Sequence, residues 1–365
     1  MLMDYFDSYV TNHKPYKGGA WCYEDGLIYR GCERLYYSTG ENRWLEHVQR
    51  LIAPQILEGP ALLDYDANDY NIDDIMAGRA LLFLYRVTGD PAYMDTAALL
   101  IRQLETQPRT KSNVYWHKNR YPWQIWLDGL YMGPPFQIEY GLLTGNDALV
   151  EDALMQVSVA LDKTFDPATK LYAHAYDEAR KQSWSHDETG HTQAHWSRAV
   201  GWLAMALVDI AELVGPDRFA QLKDRADALF DEILRWRQPD GMWLQVMDQP
   251  GLNGNWTESS ASAMFCYSLI QGEALGFWGG SSEGLLSDLI DRSVVETNNG
   301  GREMAQMCHV AGLGMYKGRF RDGTAEYYIS EDIVSDDPKG VGPLMMAAAA
   351  RMAKENMAAV AIAGQ

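Results

Sequence analysis

The run Ile72-Asp73-Asp74-Ile75-Met76-Ala77-Gly78-Arg79-Ala80-Leu81-Leu82-Phe83-Leu84-Tyr85-Arg86-Val87-Thr88-Gly89-Asp90-Pro91 decides the fold. Ile72, Ile75, Met76, Ala80, Phe83, Leu84 and Val87 share one stripe at helical spacing, and Leu81, Leu82 and Tyr85 cover much of the remainder. A helix that is apolar on most sides is buried on most sides. Gly89 ends it, because glycine takes the left-handed backbone of a C-cap without steric penalty, and Asp90-Pro91 opens the next helix. The partner, Pro91 to Glu105, is of a different kind. Met94, Ala97, Ile101 and Leu104 form one face, while Asp95, Arg102 and Gln103 form the other. The unit is therefore a buried helix, a glycine turn and an amphipathic helix, which suits an inner layer wrapped by an outer one.

Working outward, the same unit recurs around Gly40, Gly145 and Gly215, and more loosely around Gly276. Trp202–Leu213 carries only Asp209 and Glu212 as charges, whereas Asp217–Arg237 sets Phe219, Leu222, Ala226, Phe230 and Ile233 against a charged face. Inner helices are expected to begin near Asp25, Asp73, Asp128, Trp196, Thr257 and Pro338, with the last outer helix in the Ala-rich stretch from Met352. Six helical hairpins in 365 residues predict an all-α fold, an (α/α)6 barrel with few short strands. One α/α toroid is expected to span residues 1–365; an open helical solenoid is the competing arrangement. Gly241–Met247 and Ala325–Ile329 are the best strand candidates.

Composition narrows the function. Asp plus Glu number 50 against 31 Lys plus Arg, a net charge of −19, which argues against nucleic acid or an anionic membrane surface as partner. It does not exclude a small anion held by a few local cations. The 12 Trp and 21 Tyr against 9 Phe favour rings with a polar handle, which suit a sugar-lined cleft as well as a core. Cys22, Cys32, Cys266 and Cys308 form no C-x-x-C pair and read as free thiols of a reducing compartment. Met1–Thr11 lacks a signal-peptide pattern and no apolar run of about 18 residues stands out, so a cytoplasmic monomer or homodimer is expected.

The long irregular segments precede the inner helices, and long loops in a compact domain usually carry function. The densest is Trp116-His117-Lys118-Asn119-Arg120-Tyr121-Pro122-Trp123-Gln124-Ile125-Trp126-Leu127-Asp128-Gly129-Leu130-Tyr131-Met132. Asp128 follows two tryptophans at a helix start, and Asp73 holds the matching position one hairpin earlier. Each is a natural helix cap. Together they could instead be an acid–base pair in a sugar cleft, one carboxyl kept protonated by aromatic burial and by the second carboxylate. His174 lies in a further loop. Arg198 and Trp202, four apart with Trp196 just before, could fork a carboxylate and stack on a ring; a buried Arg paired with an acid is the alternative. The spacing of His186, His191 and His195 matches no metal motif, and no nucleotide-binding or serine-hydrolase motif occurs in a convincing context.

Pro108-Arg109-Thr110, Trp116-His117-Lys118, Tyr121-Pro122 and Gln124–Met132 resemble the unsaturated rhamnogalacturonyl hydrolases, glycoside hydrolase family 105. So do Asn71-Ile72-Asp73, Trp196–Trp202, Glu258–Phe265 and the late run from Arg321-Asp322-Gly323 to Gly342. The resemblance runs from about Trp21 to Ala350. It departs at Asp74, where His is the family's usual residue, and at Ala199-Val200. It implies an (α/α)6 barrel that hydrates the C4=C5 double bond of a Δ4,5-unsaturated galacturonyl residue on short pectin-derived oligosaccharides, without metal or organic cofactor. The hemiketal formed at C5 opens and releases the next sugar, typically rhamnose. Carried over residue by residue, Asp128 is the acid/base and Asp73 its partner. His174, Arg198 and Trp202 contact substrate, with Trp196, Trp126, His117 and Lys118 as neighbours. An inverting glycosidase on a saturated oligosaccharide, an unsaturated glucuronyl hydrolase and a non-catalytic sugar-binding scaffold are the alternatives.

Overall fold

The structure is a computed structural model that describes residues 2–363, with side-chain surroundings for residues 2–357. It is mostly helical. The helices are α1 (Leu2–Asn12), α2 (Tyr23–Thr39), α3 (Arg43–Ile52), α4 (Gly78–Thr88), α5 (Pro91–Thr106), α6 (Leu127–Met132), α7 (Pro134–Thr144), α8 (Asp147–Thr164), α9 (Ser197–Arg235), α10 (Ser259–Ala274), α11 (Leu285–Ser293), α12 (Ala325–Ile329) and α13 (Pro338–Ala363). Among the described residues the strands are two or three residues long and form five isolated two-stranded antiparallel sheets.

An inner ring closes on itself. α2 packs on α4, α4 on α7, α6 and α7 on α9, α9 on α10, α10 on α13, and α13 back on α2. This closure is what separates a barrel from an open solenoid. The outer helices α3, α5, α8 and α11 each lean on the inner helix before them. Glycine lets the inner backbones approach closely. A Cβ at Gly342 of α13 would stand 2.7 Å from the Leu27 carbonyl of α2, and one at Gly201 of α9 would stand 2.9 Å from Met264 Sδ of α10.

The turn chemistry is as the sequence predicts. Gly40, Gly89 and Gly145 are left-handed C-caps, each donating its N–H back to the helix it ends. Asp90 caps α5 by accepting from Ala92 N at 2.9 Å. α9 is an inner and an outer helix in one, broken at Gly215 (φ 73°, ψ 173°) and restarted by Pro216. By length and hydropathy α9 could cross a membrane, contrary to the expectation that no such stretch exists. However, 72% of its most apolar window is buried in the ring. The four cysteines are free and buried.

Two expectations fail. No outer helix begins near Met352, because α13 runs unbroken from Pro338 to Ala363. α1 is fastened by Tyr5 and Tyr9 to Asp336, just before α13, and its Val10 carbonyl accepts from Arg50 Nη2 of α3 at 2.8 Å. The strand candidates also fail. Ala325–Ile329 is helical because Thr324 Oγ1 accepts from Tyr327 N at 3.1 Å and caps it. Gly241–Met247 makes only single bridges, at Leu244 and Val246.

The end of the ring away from the inner-helix starts is closed by a buried ionic network. Asp209 of α9 takes Arg79 of α4, Arg30 and Arg34 of α2, and the Tyr267 hydroxyl of α10. Arg79 also donates to Glu139 of α7 at 2.8 Å. The network links α2, α4, α7, α9 and α10 at one level.

Candidate active site

The opposite end, where the inner helices begin, collects the aromatic and ionisable side chains of the long loops. Strand Gln124–Trp126 pairs antiparallel with Ala175–Asp177, placing Trp126 opposite Ala175. Leu127 N then donates to His174 O at 2.9 Å, so Asp128 and His174 emerge side by side. His174 Nε2 lies 3.1 Å from Asp128 Oδ2, and His174 Nδ1 lies 2.7 Å from the Tyr328 hydroxyl. Neither Asp128 Oδ2 nor His174 Nε2 has an aligned hydrogen bond, although both are buried.

Aromatic rings wall this couple. Trp126 meets His174 edge-on with centroids 5.2 Å apart, and Trp196 lies 5.0 Å from it. Trp196 is also parallel to Tyr328, at 5.9 Å and 6°. On the other side, Trp126 stacks with His117 and with Tyr121, each at 4.7 Å, and those two rings are near-parallel with centroids 6.2 Å apart. Gly129 makes room for that stack, since a Cβ there would stand 3.0 Å from His117 Nδ1.

Asp73 sits on the short helical turn Ile72–Ile75, which packs on α6. Its Oδ1 is 3.5 Å from His117 Nε2, and its Oδ2 takes the Lys118 ammonium. His117 therefore stands between the Asp73 carboxylate and the start of α6. Burial pushes the Asp73 carboxyl up, but Lys118, His117 and Lys17 outweigh it and hold it down at about 2. Burial lowers His117 to about 4 despite Asp73, so its ring is neutral at neutral pH. The carboxyl that Asp73 raises is its chain neighbour Asp74, pushed up to about 7 by burial and by the Asp73 charge. The cap reading fails for both aspartates. Asn71 caps the turn by accepting from Asp73 N at 3.3 Å, and Trp126 stands at the N-cap of α6.

Arg198 lies at the same end, its guanidinium 4.8 Å over Trp196. It does not offer a free fork. Nη1 donates to Ser260 Oγ at 3.0 Å and to Cys308 O, and Nη2 donates to His309 O at 3.2 Å, leaving Nε alone without a partner. It pairs with carbonyls and a hydroxyl, so the expected acid partner is also absent from its hydrogen bonds. Trp202 is 1% exposed, stacked on Tyr131 at 5.4 Å and touched edge-on by Tyr23. It forms floor more than wall.

The sequence reading assigns no role to Tyr328, and it quotes Tyr121 without placing it in the site. Tyr328 was in view, in the run Ala325–Ile329, but a strand there would not aim its hydroxyl at His174. The histidine trio disperses: His195 Nδ1 meets Asp248 at 3.0 Å, His191 Nε2 meets Lys163 O at 2.7 Å, and His186 Nδ1 accepts from Glu188 N at 3.2 Å. A cavity of about 1390 Å³ lies along α1 and not at Asp128; Tyr16 and His309 line the side nearer Arg198. Unpartnered buried polar atoms gather at this end, although others, such as Arg30 Nε and Arg34 Nε, lie in the network at the far end. Asp73 Oδ1, His117 Nδ1, Asp128 Oδ2, His174 Nε2, Ser197 Oγ and Arg198 Nε all lack a hydrogen-bond partner among the described residues. Buried polar atoms are seldom left so unless a ligand or water meets them.

Comparison with known proteins agrees with this architecture. The family model described as Glycosyl Hydrolase Family 88 matches residues 3–354. The 24.9 kDa protein of the picA locus of Rhizobium radiobacter is 46% identical over 225 residues, which is 59% of this chain and 96% of that protein. Unsaturated rhamnogalacturonyl hydrolase YesR of Bacillus subtilis is 27% identical over 263 residues, 69% of this chain and 70% of YesR. A solved glycoside hydrolase of family 105 from C. acetobutylicum superposes with a TM-score of 0.89 at 34% identity, covering 95% of this chain and 99% of that one.

Proposed function

This chain belongs to Glycosyl Hydrolase Family 88 and has a family 105 counterpart of the same fold, and from that premise we propose that it is an unsaturated rhamnogalacturonyl hydrolase. It acts on the Δ4,5-unsaturated galacturonyl residue at the non-reducing end of short pectin-derived fragments in the cytoplasm. The YesR likeness supports the galacturonyl choice.

Asp128 donates its proton to C4 of the double bond. Positive charge develops at C5 and is shared by the ring oxygen. Asp128, now a carboxylate, takes a proton from the water that attacks C5, and so returns to its starting state. The C5 hemiketal opens and releases the next sugar. Asp73, held ionised by Lys118, contributes a fixed negative charge near the developing cation. Trp126 and Trp196 exclude water and bound the sugar faces. With both Arg198 Nη groups committed, recognition of the uronate falls to Lys118, which is 15% exposed beside Asp73.

The observation that carries this reading is the Asp128–His174 couple, 3.1 Å apart, buried, unaligned and ringed by tryptophan. The test is incubation with the unsaturated disaccharide in ¹⁸O water while following the ultraviolet absorbance of the conjugated double bond. Loss of absorbance with label at C5 is expected. Retained absorbance, or label at C1, rejects the reading. Turnover of a saturated oligosaccharide favours an ordinary inverting glycosidase instead.

A further inference from the structure

Tyr328 lies outside the residues assigned above to substrate or proton transfer, yet it is the residue His174 Nδ1 meets. It is fully buried, and its hydroxyl has one hydrogen-bond partner among the described residues, His174 Nδ1 at 2.7 Å. A phenol hydroxyl can donate once and can also accept. If it accepted from Nδ1–H, its own hydrogen would be buried without an acceptor. If it donates to the Nδ1 lone pair, that hydrogen is satisfied. The second arrangement wins because an unsatisfied buried donor is the dearer fault.

We propose that Tyr328 is a positioning residue that fixes the proton of neutral His174 on Nε2, and thereby fixes which oxygen of Asp128 holds the transferable proton. With Nε2 protonated, the imidazole turns an N–H towards Asp128 Oδ2, 3.1 Å away and not aligned as a hydrogen bond, and that hydrogen disfavours a second one on Oδ2. The acid proton then resides on Oδ1, the oxygen turned away from His174. Asp128 has 16% of its side chain exposed while Oδ2 is buried, so the carboxyl opens on its other side. Delivery of the Oδ1 proton leaves a carboxylate that faces the same imidazole N–H, and its return restores the acid. The imidazole keeps one tautomer throughout. This account rests on the proposed reading for the meaning of the Oδ1 proton, but the tautomer itself does not.

Tyr328 is held to this task from two sides. Its ring stacks on Trp196, and its carbonyl accepts from Gln245 Nε2 at 3.0 Å, while Gln245 Oε1 accepts from Trp196 Nε1 at 3.2 Å. None of these contacts uses the hydroxyl, so Tyr328→Phe removes one hydrogen bond and leaves the packing.

The experiment is ¹⁵N nuclear magnetic resonance of the histidine rings in the full-length protein, with His174→Gln used to assign the signal. Parent protein is expected to show His174 as a single Nε2–H tautomer, and Tyr328→Phe to show a mixture. With unsaturated disaccharide, Tyr328→Phe should lower kcat by roughly tenfold with KM changed less than about threefold. An Nδ1–H tautomer in the parent, an unchanged ring signal in Tyr328→Phe, or a loss confined to KM overturns the proposal. The parent measurement stands even if the variant folds poorly. A parent that leaves the disaccharide untouched rejects the proposed function alone, because the ring signals still report the tautomer.

Discussion

Asp73 and Asp74 are neighbours in the chain and face opposite surroundings: Asp73 turns to the Lys118 ammonium, while Asp74 turns away to accept from Asn71 Nδ2 at 2.9 Å. One carboxyl is drawn down to about 2 and the other pushed up to about 7. The short helical turn makes this possible by sending successive side chains in different directions.

The pair gives a pH prediction of definite sign. Asp74 is raised above its ordinary 3.8, so the folded state keeps a proton that the unfolded chain releases. Its stabilising contribution is complete below about pH 4 and lost as pH rises through about 7. Asp73 has the reverse sign, contributing above 3.8 and losing that contribution only as pH falls through about 2. Asp74→Asn should match the parent near pH 4 and exceed it at pH 8 by about 1–2 kcal/mol after allowance for solvent screening. Urea unfolding at the two pH values checks this, and no gain at pH 8 refutes it.

Asp128→Asn should keep the fold and lose activity on the unsaturated disaccharide by about 10²–10⁴-fold. Asparagine keeps the shape and the contact with His174 but has no proton to exchange. A loss under tenfold removes Asp128 from the acid/base role.

Gly129→Ala separates packing from function. Alanine gains about 1 kcal/mol of helix propensity over glycine. Its Cβ, however, would stand 3.0 Å from His117 Nδ1, so the His117–Trp126–Tyr121 stack has to shift by a few tenths of an ångström. The melting temperature should change little while kcat/KM falls by about tenfold, since small displacements at a reacting site are felt strongly. Parent-like kcat/KM in Gly129→Ala is the contrary outcome.

At the far end of the ring, Asp209→Asn leaves Arg30, Arg34 and Arg79 crowded around a neutral group. Breaking one side of a buried ionic network should destabilise by about 3–5 kcal/mol. The Asp209 carboxyl is held far below its usual range by those arginines despite burial, so the effect should persist through the mildly acidic range. Chemical unfolding measures the loss. The folded fraction should turn over substrate at the parental rate, because the network is remote from Asp128.

The barrel was legible because its signals are local. Gly89 after Val87 is a C-cap wherever it occurs, and the buried stripe of one helix against the amphipathic stripe of the next needs no distant partner to be read. The failures lay at helix ends. Nothing near Met352 ends the helix, so the expected turn into a last outer helix does not occur and α13 runs on to Ala363. Ala325–Ile329 reads as strand by ring content until the Thr324 cap is counted.

The candidate site divides in the same way. Helix phase and loop position are readable in the sequence, which puts Asp73, Asp128, Trp196 and Arg198 near inner-helix starts and His117, Lys118, Trp126 and His174 in the loops that lead to them. Their partners come from the closed ring: Asp73 to Lys118, Arg198 to the Cys308 and His309 carbonyls, and His174 between Asp128 and Tyr328. The reason is physical. A helix phase is set by neighbours three and four residues away. The partner of a buried polar atom is set by which atoms the closed ring brings within about 3 Å, and those atoms are separated by 154 positions in the case of His174 and Tyr328.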